Sequence, residues 1–439
     1  MPYTSSQTLL LPKYLLPVAP ENTVLENFGI AVEEEKIIEI DSHPKLIKKY
    51  PTAAVVSLSD HVLMPGLVNA HSHLAMSLLR GIGNSLPLER WLSEVIWPLE
   101  TKFAAPNFVS NGSDLAIAEM IANGITTASD MYFHPQYTAH QSVTAGFRLQ
   151  VAFPVFERTT SYAQGAADCI HKGLELCDQF RSVSTIHMAF GPHSPYTVSV
   201  QTFEKILTLS SEMNLPIQTH LHETKKEVLD AKEKLGKSWI EHFDNQGLLI
   251  PELQAVHMTA LSPSEVELIG ERGISVIHCP RSNMKLASGR CPLLKLRKHG
   301  IRVGIGTDGA ASNNDLDILG ESRLAGLLAK DTEESASVLP AHDLLEMATI
   351  GGAEALGIED QIGSIEPGKY ADVIAIDTHT PSLQPIHDLQ SQLIDTQAAN
   401  HVTHVWIAGK PIYAEKQYLT LDIDQTIEEA IAWQRKLSQ

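Results

Sequence analysis

Short apolar, β-rich runs recur along the middle of this chain, each separated from the next by a stretch of helical periodicity. The runs cover residues 62–73, 125–132, 147–156, 183–193, 216–223, 253–259, 274–280 and 302–309. Amphipathic segments such as 111–123, 200–213 and 263–272 lie between them. Strand and helix alternating eight times predict an α/β fold, a (β/α)8 barrel. Nearly continuous apolar runs suit parallel strands buried on both faces. A chain of 439 residues has room for one such barrel and a smaller unit, and 43% hydrophobic content supplies a large core.

The two ends differ from the middle. Residues 1–61 and 367–439 read as short alternating strands, with turns at Gly368-Lys369 and Gly409-Lys410. Neither end alone has enough strands to bury a core. The expectation is one small β-sandwich built from both ends, with the barrel spanning 62–366.

Composition narrows the partners. A net charge of −19 argues against nucleic acid and against an anionic membrane surface. No run approaches the ~18 apolar residues of a membrane span. The apolar patch near the N-terminus is broken by Pro12 and Pro17 and lacks the basic start of a signal peptide. Cys169, Cys177, Cys279 and Cys291 form no C-x-x-C pair, so a reducing cytoplasm is expected rather than a disulfide framework.

The chemistry is concentrated where the runs end. His71 and His73 stand two apart, so an extended backbone presents both rings to one side. In such barrels the C-terminal ends of the strands carry the active site. The fifth run ends in His220, His222 and Glu223, of which His220 sits deeper and is taken as the ligand. Asp308 follows the last run and offers a single carboxylate. Three imidazoles and one carboxylate suit one Zn2+, or Fe2+, with a position left for water. Calcium or magnesium would want more oxygen ligands. Runs three and four contain no lysine that could bridge two metals, so a mononuclear centre is expected. Glu223 lies just beyond His220 as an acid or base. His257, at the end of the sixth run, could orient the nucleophile, and His193 could contact substrate. His278 ends the seventh run and is counted among pocket positions, whereas His134, His187 and His299 read as structural or solvated.

At these residues the chain resembles the amidohydrolase superfamily over essentially its whole length. The resemblance rests on PGLVNAHSH, QTHLHE, the strand-end His257, GTDGAASNN and GSIEPGKYADVIAID. Within that superfamily, LLRGI, WLSEVIWPLE and HCPRSNMKLASG are most similar to 5′-methylthioadenosine/S-adenosylhomocysteine deaminases. Guanine deaminases and triazine chlorohydrolases share much of the pattern and stand as alternatives. The resemblance implies a metal held by His71, His73, His220 and Asp308, and a purine whose ring proton Glu223 handles. It also implies that His257 orients the attacking water, Asp308 accepts its proton, and His193 touches substrate. Glu100 would bind ribose hydroxyls and Trp91 would wall the nucleoside. A homo-oligomer acting on a small nucleoside is the implied form. An inactive scaffold on this barrel is the alternative of another class, but scaffolds usually lose metal ligands and this chain keeps the set. Arg158 is the one cation near the third strand's end that could pair with a homocysteine carboxylate. The apolar run Phe153-Pro154-Val155-Phe156 favours a methylthio group instead.

Overall fold

A computed structural model describes residues 7–438; residues 1–6 of the N-terminal patch lie outside it. Eight parallel strands form the barrel. They are β1 (Leu67–Ser72), β2 (Ile125–Asp130), β3 (Arg148–Val155), β4 (Ile186–Pro192), β5 (Ile217–Leu221), β6 (Leu253–His257), β7 (Ser275–His278) and β8 (Val303–Ile305). Each is hydrogen-bonded to the next in chain order. The seam between β8 and β1 is closed largely by side chains. Asn69 Nδ2 donates to Thr307 Oγ1 at 2.7 Å, and Thr307 N donates to Asn69 Oδ1 at 2.9 Å. At the next residue, Asp308 N donates to the His71 carbonyl at 3.0 Å. Two residues expected at the metal therefore also close the barrel.

The helices between strands follow their local signals. Ser262 and Glu265 form a reciprocal capping box at the start of Pro263–Arg272, with Pro263 in the first turn, and left-handed Gly273 ends that helix. The periodicity at 111–123 is the latter part of a longer helix, Pro106–Ala122.

The run at 62–73 is not one strand, and the barrel does not begin at residue 62. Strand Ala54–Pro65 belongs to the second sheet, and β1 starts at Leu67. Gly66 makes the crossing. A Cβ there would fall 2.0 Å from Thr126 Oγ1, so only glycine lets the chain pass β2 this closely.

The second sheet is mixed and nine-stranded, and both ends of the chain build it. Ala54–Pro65 pairs in parallel with Gln7–Leu15 on one side and antiparallel with Val373–Asp377 on the other. The C-terminal stretch is not entirely sheet. Helix Ile423–Leu437 returns to the barrel, where Trp433 packs edge-on against Phe108 and its Nε1 donates to Asn111 Oδ1 at 3.1 Å. Barrel and sheet are joined at the N-terminal end of β3. There the fully buried Arg148 makes a bidentate pair with Asp372, Nε to Oδ2 2.7 Å and Nη2 to Oδ1 3.1 Å. Among the described residues, no helix is long and apolar enough to cross a membrane.

Candidate active site

The C-terminal ends of the strands open into a cleft of about 750 Å³, its mouth included. Near its floor, the ligand atoms of His71, His73 and His220 lie within 4.8 Å of one another. Each imidazole is aimed by a bond from its far nitrogen. His71 Nδ1 meets Gln218 Oε1 at 2.8 Å, His73 Nδ1 donates to the Met131 carbonyl at 2.6 Å, and His220 Nδ1 donates to the His193 carbonyl at 2.6 Å. Such bonds fix the tautomer and leave Nε2 free as a metal ligand. Asp308 completes the group, with Oδ1 3.2 Å from His73 Nε2 and 3.7 Å from His71 Nε2. Its Oδ2 accepts from Ser282 Oγ at 2.6 Å and Ser312 Oγ at 2.9 Å, so Oδ1 is the oxygen turned toward the histidines. The His71 Nε2 is buried and has no hydrogen-bond partner. An orphaned buried nitrogen amid two more imidazoles and a carboxylate fits a divalent cation, zinc foremost.

His222 departs from the alternation that would place it beside His220. The strand stops at Leu221, and His222 takes a left-handed backbone with φ 51°. Its ring turns away, Nδ1 donating to the Ala260 carbonyl at 2.9 Å. The same turn directs Glu223 into the cleft. It is held by the Glu227 carboxylate, which accepts from the N–H groups of His222 at 2.9 Å and Glu223 at 2.8 Å. Buried Glu223 sets Oε2 3.8 Å from His257 Nε2, while Oε1 accepts from Ser288 Oγ at 2.9 Å. Burial raises its pKa, opposed by His257 and reinforced by Asp308. His257 is aimed by Asn283, Nδ1 to Oδ1 2.9 Å.

The upper wall is built largely from residues 88–100, where a widened helical turn, Trp91–Ile96, leads into helix Trp97–Phe103. Trp91 and Glu100 both line the cleft, and burial pushes the Glu100 carboxyl up to about 7. His193 lines it as well. Burial, with the nearby His73 and Arg158, lowers its pKa to about 3, so the ring is neutral. Arg158 reaches the cleft, its guanidinium 5.4 Å from the Trp97 ring and 5.7 Å from that of Phe156. His278 does not reach it. The side chain lies on the other side of β7, against a separate cavity with Met284, Leu293 and Ala325.

Several residues at the site escaped the sequence reading. Gln218 was within reach, since it stands two before His220 and shares its face. Ser282, Asn283 and Ser288 lie in the quoted HCPRSNMKLASG segment but carried no spacing signal. Tyr132 follows β2 in the strand-end position that proved informative elsewhere.

The sequence profile of the amidohydrolase family matches residues 62–412. The chain belongs to the amidohydrolase family. A 5-methylthioadenosine/S-adenosylhomocysteine deaminase from Teredinibacter turnerae is 42% identical over 97% of this chain and 96% of its own. A solved adenosine deaminase from Xanthomonas campestris, with bound zinc, superimposes with a TM-score of 0.97 at 41% identity, covering 98% of both chains. A triazine hydrolase superimposes with a TM-score of 0.91 at 20% identity over 98% of this chain and 99% of its own, a likeness of fold alone. As an amidohydrolase, the chain carries the expected barrel, the sheet formed from both ends, and a donor set for one divalent metal.

Proposed function

We propose that this amidohydrolase is a metal-dependent deaminase of adenine nucleosides. It replaces the 6-amino group by oxygen, releasing ammonia and leaving the inosine analogue. One observation carries the reading. A buried carboxylate of raised pKa, Glu223, stands beside the His257 ring at the edge of the histidine cluster, where a proton carrier is needed. His71, His73, His220 and Asp308 would hold the metal, which supplies acidity to a water, lowering its pKa toward ~7. Asp308 Oδ1 accepts a proton from the attacking water, and His257 Nε2 orients that water. Glu223 delivers a proton to ring N1, which makes C6 electrophilic, and a proton reaches the departing amine. His193 contacts the base, Trp91 walls the nucleoside, and Glu100 accepts from the ribose hydroxyls.

The substrate we favour is 5′-methylthioadenosine. Leu92, Ile96, Trp97, Met131 and Phe156 give the cleft an apolar lining that suits a methylthio group. Arg158 in the same wall offers a cation to the carboxylate of S-adenosylhomocysteine, which with adenosine forms the second choice. A cytoplasmic homo-oligomer is the form we infer, the reducing compartment supported by four unpaired cysteines and the oligomer by family likeness alone.

The test is direct. Purified protein, with its zinc and iron content measured, is incubated with methylthioadenosine, S-adenosylhomocysteine, adenosine, guanine and a chlorotriazine. Ammonia from an adenine nucleoside is expected, with methylthioadenosine turned over fastest. Ammonia from guanine alone, or chloride from the triazine alone, overturns the proposal.

A further inference from the structure

The cleft holds a phenol that the mechanism above does not use. Tyr132 lies two residues past the end of β2, lines the cleft, and is 4% exposed. Its ring packs on Phe133, centroids 5.3 Å apart. Its hydroxyl is sealed from solvent and makes no hydrogen bond of regular geometry. Leaving a buried hydroxyl unsatisfied is unfavourable, so such a group in a binding cleft calls for a reason. The neighbour it faces is Glu100. The two side chains interact closely enough that the phenol draws the Glu100 carboxyl down against the upward push of burial.

Glu100 sits in a poor place for a carboxylate. The wall around it is mostly apolar, with Trp91, Ile96 and Trp97 on its own segment, and the charges that favour its ionised form are those of His73 and Arg158. A carboxylate asked to accept two sugar hydroxyls must present one edge and stay ionised. A donor on its other oxygen favours both, and the Tyr132 hydroxyl has no other hydrogen-bond partner among the described residues. The hydroxyl comes from the barrel, whereas Glu100 is on the segment that covers it, so the bond would also fix the wall to the strand ends.

We infer that Tyr132 is a positioning residue for sugar recognition, its phenol donating to one Glu100 oxygen so that the other accepts the cis-diol of the nucleoside. This rests on the deaminase reading above. It assigns Tyr132 to ribose selectivity and not to the bond-breaking step.

Tyr132→Phe removes one oxygen and keeps the ring, and a melting curve reports whether the fold survives. Kinetics are measured on adenosine and 2′-deoxyadenosine for the parent, Tyr132→Phe, Glu100→Gln and the double variant. The expected result is a KM for adenosine raised about tenfold by Tyr132→Phe, with kcat within about twofold and metal content unchanged; tenfold corresponds to about 1.4 kcal/mol. On 2′-deoxyadenosine, and in the Glu100→Gln background, the same change should have little effect. An equal loss on both substrates, or an undiminished loss without Glu100, overturns the inference. So does a fall in kcat at constant KM. Should Tyr132→Phe not fold, Tyr132→Trp, which keeps a ring donor, takes its place and must retain preference for the ribose substrate. A parent enzyme inactive on every adenine nucleoside would fail the deaminase reading instead, and that outcome is visible before any variant is made.

Discussion

The two ends of the barrel bury charge in opposite ways. At the N-terminal end of β3, Arg148 and Asp372 are both almost wholly inaccessible, yet their hydrogen-bonding capacity is nearly spent. Arg148 also donates to the Ser184 carbonyl, and Asp372 also accepts from Ala408 N. At the C-terminal end, His71 Nε2 has no partner and Glu223, Glu100 and Asp308 crowd one cleft. The saturated end joins two sheets. The unsaturated end keeps its capacity for a ligand. Burial alone therefore does not tell structural charge from functional charge; what is left unpaired does.

That contrast can be broken by substitution, and the largest effect is expected at the open end. Glu223→Gln should lower kcat by about a thousandfold, the scale of a lost general acid–base group, with metal content and melting temperature nearly unchanged. Retained turnover would remove Glu223 from the mechanism. Arg148→Ala should do the reverse. Stranding Asp372 should cost about 3–5 kcal/mol in denaturant unfolding, while kcat of the folded fraction stays within about twofold. A joint Arg148→Met and Asp372→Leu replacement should recover most of that stability, and failure to recover would mean the pair is more than a joint.

Glu227→Ala falls between the two ends. It frees two backbone N–H groups at the strained His222 turn, which should cost about 1–3 kcal/mol and lower kcat about tenfold as Glu223 loses its aim. A stability loss without a kinetic one would separate the turn from catalysis. The smallest effect concerns pH. Burial raises Glu100 from its ordinary 4.5 to about 7. Its protonated form is thus favoured in the folded chain, and the associated stability is complete below pH 4.5 and lost as pH rises through 7. Glu100→Gln should therefore melt a few degrees higher than the parent at pH 8 and alongside it at pH 4. Equal melting at both would show that the carboxyl is less buried than its wall implies.

Much of this was legible because the barrel turns chain order into spatial order. Eight apolar runs gave eight strands, and residues at their C-terminal ends converge in any such barrel, so His71, His73, His220, Asp308 and Glu223 could be named from pattern and family likeness together. What escaped depends on tertiary placement. Gly66 switches the chain between sheets because of its distance to Thr126, which no periodicity records. His278 obeys the strand-end rule yet faces outward, since β7 stops with that side chain on its outer surface. Glu227 and Gln218 act through atoms of other residues, one by a backbone turn and one across the barrel, and neither has a motif of its own.

The seam between β8 and β1 has a consequence for how the enzyme comes into being. Asn69 and Thr307, 238 positions apart, meet there, and Asp308 docks on the His71 carbonyl. During synthesis the first two imidazoles emerge early, but the carboxylate and the staves that enclose it arrive only with the last strand. A nascent or truncated chain ending before Asp308 has an open barrel and an incomplete ligand set. The four-donor set is thereby complete only once β8 closes the barrel on β1.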